Sequence, residues 1–144
     1  MKSNECPCGS KKEFSQCCGP LIAGDAAATT PEQLMRSRYT AFVLQKMEYV
    51  RKTTDPQTFH LFDFPGNEKW AAECEFCGLE ILRSSEDGNK GLVEFKAQFR
   101  PRVSQNSGDE LQTHHELSQF RRQGGVWYFR NGKVQAEKQS SQKS

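Results

Sequence analysis

The sequence predicts an α+β domain, helices first and an antiparallel sheet afterwards, with a cysteine-rich segment ahead of it. Three observations predict this. Four of the six cysteines fall between positions 6 and 18. Thr30-Pro31-Glu32-Gln33 opens a stretch in which Met35, Tyr39, Phe42 and Val43 recur at helical spacing. Further on, Val93, Phe95, Ala97 and Phe99 alternate with Glu94, Lys96 and Gln98, the pattern of a strand with one face covered and the other wet. Helices followed by strands give segregated layers rather than a parallel βαβ sheet.

The first segment reads Cys6-Pro7-Cys8, then eight residues, then the adjacent pair Cys17-Cys18. Four thiolates satisfy a closed tetrahedral shell, so a structural Zn²⁺ ion bound by Cys6, Cys8, Cys17 and Cys18 is expected. Pro7 and Gly9-Ser10 suit a tight turn that folds Cys6 and Cys8 towards one point, and Phe14 is the one large apolar side chain inside the loop. That little apolar surface does not offset the entropy of ordering the segment, whereas a structural zinc contributes about 10–16 kcal/mol of apparent binding energy. A Cys17–Cys18 disulfide is unattractive, because adjacent Cα atoms stand about 3.8 Å apart, below the usual disulfide range. Crossed disulfides, Cys6–Cys17 with Cys8–Cys18, stay open. The opening Met1-Lys2-Ser3-Asn4-Glu5 carries no apolar signal region, which favours a reducing compartment and hence the metal.

Residues 23–28, Ala-Gly-Asp-Ala-Ala-Ala, form a small-residue linker, from which two separately folded modules are expected. Thr30 as cap and Pro31 at the first helical position then start a helix running from 31 to about 45. A second helix is expected over 47–52, interrupted near Asp55-Pro56, and a third short one around 67–73. Strands are expected over 75–83, 91–100, 111–122 and 126–130. The intervening segments, Glu86-Asp87-Gly88-Asn89, residues 104–109 and Gly124-Gly125, carry turn residues.

Residues 6–20, CPCGSKKEFSQCCGP, resemble the SEC-C zinc motif first described at the C-terminus of the SecA translocation ATPase, with Cys6, Cys8, Cys17 and Cys18 on its four ligand positions. Residues 34–42, LMRSRYTAF, together with Trp127-Tyr128-Phe129 and Asn131-Gly132, resemble the body of the YchJ family, small bacterial proteins of unassigned activity. The resemblance implies a SEC-C motif over 1–24, a nuclear-transport-factor-two-like domain over 25–134 and a flexible polar tail over 135–144. It also implies a cone-like, cystatin-like fold in which a curved sheet wraps the long helix and leaves a pocket between them. Some members carry a second SEC-C motif at the C-terminus; here the last residues are polar and cysteine-free.

The formal charge of +2 counts cysteines as neutral. Four thiolates and one Zn²⁺ together remove that charge, so net charge gives no reason to expect nucleic acid or a membrane as partner. Lys2, Lys11 and Lys12 are read as local compensation for an anionic zinc–thiolate centre.

Candidate pocket residues are Arg38 and Tyr39 on the long helix and His114 and Glu116 on the third strand, where period-two alternation puts His114, Glu116, Ser118 and Phe120 on one face and His115 on the other. Arg36 and Arg38 stand about 200° apart around the helix and flank its apolar stripe from opposite sides. A His/Glu pair facing a hollow suits acid–base chemistry, but a buried Glu116 paired with an arginine to orient helix on sheet is the simpler expectation. Cys74 and Cys77 are read as small packing residues, because positions i and i+3 of a strand point to opposite faces, and His60 as a surface residue among phenylalanines.

No nucleophile triad, phosphate-binding glycine loop or nucleotide motif is present in the sequence, and no catalytic residue is assigned. The expected function is that of a cytoplasmic zinc-binding adaptor, acting through its SEC-C finger on another protein or the ribosome. The alternative is an enzyme or small-ligand binder using the pocket.

Overall fold

The computed structural model describes residues 4–102 and 111–135. Lys2, the expected turn at 104–109 and the tail beyond residue 135 lie outside the described residues. Helix α1 (Cys18–Ala23) follows a single 3₁₀ turn at Phe14–Gln16 and ends at Gly24, whose φ of 88° supplies the left-handed cap. Helix α2 (Pro31–Leu44) begins as its sequence dictates, with Pro31 in the first turn and the Thr30 hydroxyl accepting from the Gln33 amide at 3.0 Å. It stops one residue before the expected end, where Gln45 takes φ 59°. Helix α3 (Met47–Lys52) falls where expected. Helix α4 (Phe64–Glu73) starts earlier than expected, because the Asp63 carboxylate accepts from the Gly66 amide and supplies an N-terminal cap.

The four strands, β1 (Cys74–Asp87), β2 (Lys90–Pro101), β3 (Gln112–Gln123) and β4 (Val126–Val134), form one antiparallel meander in sequence order. The β2–β3 register opposes Val93 with Ser118, Phe95 with Glu116 and Ala97 with His114. Bulges at Cys77 and Leu82 on β1 and at Arg130 on β4 bend the sheet. The extra residue on the last pair belongs to β4, so the alternation along β3 runs unbroken, and Ser118 and Phe120 are buried on the same face as His114 and Glu116.

Helix α2 lies across the covered face of this sheet, against β1, β2 and β4. Its burial is wider than the expected stripe. Leu34, Ser37, Arg38, Thr40 and Ala41 are buried along with Met35 and Tyr39, whereas Phe42 and Val43 are only partly so. The reason is a second layer: the cysteine segment and α1 pack against the flank of α2 that faces away from the sheet. Cys6, Cys8, Cys18 and Leu21 belong to the same core as Leu34, Val93 and Phe120, and the Arg36 guanidinium reaches across to the Cys8 carbonyl at 2.7 Å. The small-residue linker therefore does not hold the segment apart as an independent module.

The loop after α3 is stitched to β4 by backbone bonds, Phe129 N–H to Thr53 O and Asp55 N–H to Phe129 O, each 2.8 Å. Asp55 itself is fully buried, and its carboxylate takes Arg121 in a two-point pair at 2.7 and 2.9 Å and Arg130 at 3.1 Å. This pair fills the role expected of Glu116.

Candidate metal centre and adjoining cavity

Residues 4–14 fold into a miniature hairpin. Phe14 N–H donates to Asn4 O and Cys6 N–H to Lys12 O, both at 2.8 Å, while Gly9 at φ 85° and Lys11 at φ 72° make the reversal. The hairpin brings Cys6 and Cys8 against Cys17, which precedes α1, and Cys18, its first residue. All four sulfurs lie within 4.8 Å of one another, with Cys8–Cys17 at 3.7 Å and Cys17–Cys18 at 3.9 Å. Those separations suit one ion held at the centre of four thiolates. The six cysteines are free, so the crossed disulfides are not formed.

Polar groups already face the sulfurs. The Thr40 hydroxyl, from α2, lies 3.4 Å from Cys18 Sγ and 3.7 Å from Cys6 Sγ, and the Ser10 hydroxyl is 3.2 Å from Cys17 Sγ. Among the thiols the proton is shared unequally: a bond from Cys18 pulls the Cys8 thiol down to about 4 and pushes Cys18 far up, while burial raises Cys17. Cys6, Cys8 and Cys18 are buried, whereas Lys11, Lys12 and Glu13 on the outer edge are exposed. Cys74 and Cys77 do not belong to the cluster. Cys77, at the β1 bulge, is exposed, contrary to the expected packing role, because strand alternation puts it with exposed Glu75 on the face opposite half-buried Cys74 and Phe76. His60 is exposed beside Phe59, as expected.

On the sheet side of α2 lies a cavity of about 270 Å³. It is walled mainly by aromatic rings, among them Phe62, Trp70, Phe76, Phe95 and Phe129, and all four expected pocket residues, Arg38, Tyr39, His114 and Glu116, line it. Leu61, 73% exposed, stands on its rim. Arg36 faces the other way, towards Cys8 and Glu32, so the two arginines do lie on opposite flanks of α2. His115 likewise lies on the opposite face of β3, with Glu94 at 2.7 Å.

Glu116 is not paired with an arginine among the described residues. Its two oxygens take His114 Nε2 and the Ser118 hydroxyl, both at 2.7 Å. A side chain at position 132 would collide with that carboxylate, so Gly132 makes the room Glu116 occupies. The His114 ring is held against Trp70, with centroids 5.1 Å apart.

Arg38 is 3% exposed, and burial lowers its pKa to about 10. One terminal nitrogen, Nη1, makes all three of its hydrogen bonds, to Val50 O at 3.1 Å, Thr53 Oγ1 at 2.9 Å and Thr54 Oγ1 at 3.1 Å. Its guanidinium plane packs on Phe129, 4.4 Å from the ring centroid. Burial also pushes the Tyr39 hydroxyl up to about 12. Sequence reasoning missed Thr40 and Asp55. Thr40 reads as an ordinary helical residue until α1 is docked beside it, and Asp55 as a turn residue before proline.

A long helix on a bent four-stranded meander, with a cysteine cluster fastened to its outer flank, defines a SEC-C segment joined to an NTF2-like domain. Known proteins bear this out. Residues 3–20 match the SEC-C motif and residues 30–132 the middle NTF2-like domain of YchJ. The chain is 43% identical over 133 residues to the UPF0225 protein GSU1048 of Geobacter sulfurreducens, covering 90% of this chain and 79% of that one. It is 38% identical over 136 residues to a UPF0225 protein of Actinobacillus succinogenes, covering 93% and 84%. Among solved structures it is similar to RPA3114, a SEC-C motif-containing protein from Rhodopseudomonas palustris, with 45% identity, a TM-score of 0.81 and coverage of 92% and 99%. It is also similar to a SEC-C motif-containing protein from Psychrobacter arcticus, with 34% identity, a TM-score of 0.73 and coverage of 92% and 84%. The chain belongs to the YchJ, or UPF0225, family.

Proposed function

We propose that this protein is a zinc-locked small-molecule-binding domain, in which the metal fastens α2 from one side and the same helix presents Arg38 and Tyr39 to a ligand cavity on the other. The carrying observation is that α2 serves both sites: Arg36 and Thr40 meet the cysteine segment, while Met35, Arg38, Tyr39 and Phe42 line the cavity. Zinc is the metal we assign to this four-thiolate set. Bonds of about 2.3 Å in a tetrahedron hold sulfurs about 3.8 Å apart, against 3.7 Å for Cys8–Cys17 and 3.9 Å for Cys17–Cys18 here. A closed four-thiolate shell has no position left for substrate, so the ion is structural, and thiolates of this kind belong in a reducing compartment such as the cytoplasm. Converging polar groups in an aromatic-walled cavity are what a small-molecule site requires.

A second reading, an adaptor contacting a protein or the ribosome through the finger, is favoured by the exposed edge formed by Lys11, Lys12 and Glu13 beside half-buried Cys17. Metal analysis and ligand-observed NMR with a panel of small aromatic fragments test the main reading. One zinc per chain is expected, with fragment binding that shifts Tyr39, Trp70 and His114. Binding confined to the 4–23 segment, or none, would favour the adaptor.

A further inference from the structure

We infer that the cavity takes an uncharged, ring-sized molecule carrying a hydrogen-bond acceptor, such as a carbonyl oxygen, which docks on the free side of Arg38. The inference rests on the cavity being a ligand site and names what that site selects.

Size sets the first limit. A cavity of about 150 Å³ lined by apolar side chains holds benzene, so about 270 Å³ accommodates one substituted ring. The walls set the second. Phe62, Trp70, Phe76, Phe95 and Phe129 offer ring faces and edges to an apolar body.

Polarity sets the third limit. Arg38 is buried, yet Nη1 alone carries its three hydrogen bonds, which leaves the Nε and Nη2 donors without a hydrogen bond to the described residues. A guanidinium presents its donors as a fork suited to an oxygen acceptor. An anionic ligand is disfavoured by the rest of the wall: Arg130 is already committed to Asp55, while Glu116 and Asp63 add negative charge. Glu116 acts on Arg38 through space, without a direct contact. A neutral acceptor satisfies the free donors and adds no charge near these carboxylates.

The test uses the full zinc-loaded chain and four matched probes: acetophenone, benzoate, benzylamine and toluene. Titration is followed through the NMR signals of Trp70 and of the Arg38 side-chain Nε–H. Acetophenone should bind with a shift of the Arg38 signal, and the other three about tenfold or more weaker, the loss that follows from leaving a buried donor unsatisfied or a charge unpaired. Ala97→Leu, which fills the cavity from β2 without touching Arg38, should abolish binding. Arg38→Met should erase the preference for acetophenone over toluene; if that variant does not fold, the wild-type Arg38 signal decides. Toluene or benzoate binding as tightly as acetophenone overturns the ligand class but leaves the cavity a binding site. Failure of every probe to perturb Trp70 or His114 overturns both.

Discussion

Arg121 Nε and Nη2 donate to the two carboxylate oxygens of fully buried Asp55 at 2.7 and 2.9 Å, joining the loop after α3 to the inner strand β3. A carboxylate so placed contributes most when both partners are present, because removing one leaves buried charge uncompensated. Asp55→Ala should therefore destabilise the domain by about 3–5 kcal/mol, measured by denaturant titration.

The same pair carries an acid signature. Hydrogen bonds from Arg121 hold Asp55 at about 2, below its ordinary 3.8. A depressed folded-state pKa means that the stabilisation is complete above about pH 4 and is lost as pH falls towards 2; a shift of this size is worth about 2 kcal/mol. Stability measured across that window should fall less steeply in Asp55→Asn than in the wild type.

Glu116 should behave differently. It bonds to His114 and Ser118 and to no arginine among the described residues, so Glu116→Ala should cost about 1–3 kcal/mol, less than Asp55→Ala. Equal losses from the two would restore the helix-orienting role that the sequence alone suggests for Glu116. Gly132→Ala should displace the Glu116 carboxylate and shift the His114 ring resonances.

At the metal centre, Cys74→Ser/Cys77→Ser should leave the zinc content unchanged, and Cys8→Ser should abolish it, by metal analysis. Thr40→Val keeps the shape of the side chain but removes the hydroxyl that faces Cys18 and Cys6. Loss of such an outer partner should weaken zinc binding about 10–100-fold in competition with a chromophoric chelator.

The elements and the cysteine cluster were legible because their signals are local. A capped Pro31, the alternation of Val93, Phe95 and Ala97, and four clustered cysteines each depend on residues close in the chain. The faces of β3 followed from period two alone, which is why His114 and Glu116 could be aimed at a pocket. What stayed hidden depends on distant contacts. The docking of the cysteine segment onto Arg36 and Thr40 and the pairing of Asp55 with Arg121 across 66 positions arise only when elements meet in space. A charged residue next to proline gives no hint that two arginines will reach it.

Hydrogen exchange before and after zinc chelation tests most directly whether the metal locks the helix that carries the cavity. Removing zinc should cost protection in α2 around Arg38 and Tyr39 as well as in residues 4–23. Loss confined to residues 4–23, with α2 and the sheet as protected as before, would contradict it and leave the finger an independent module.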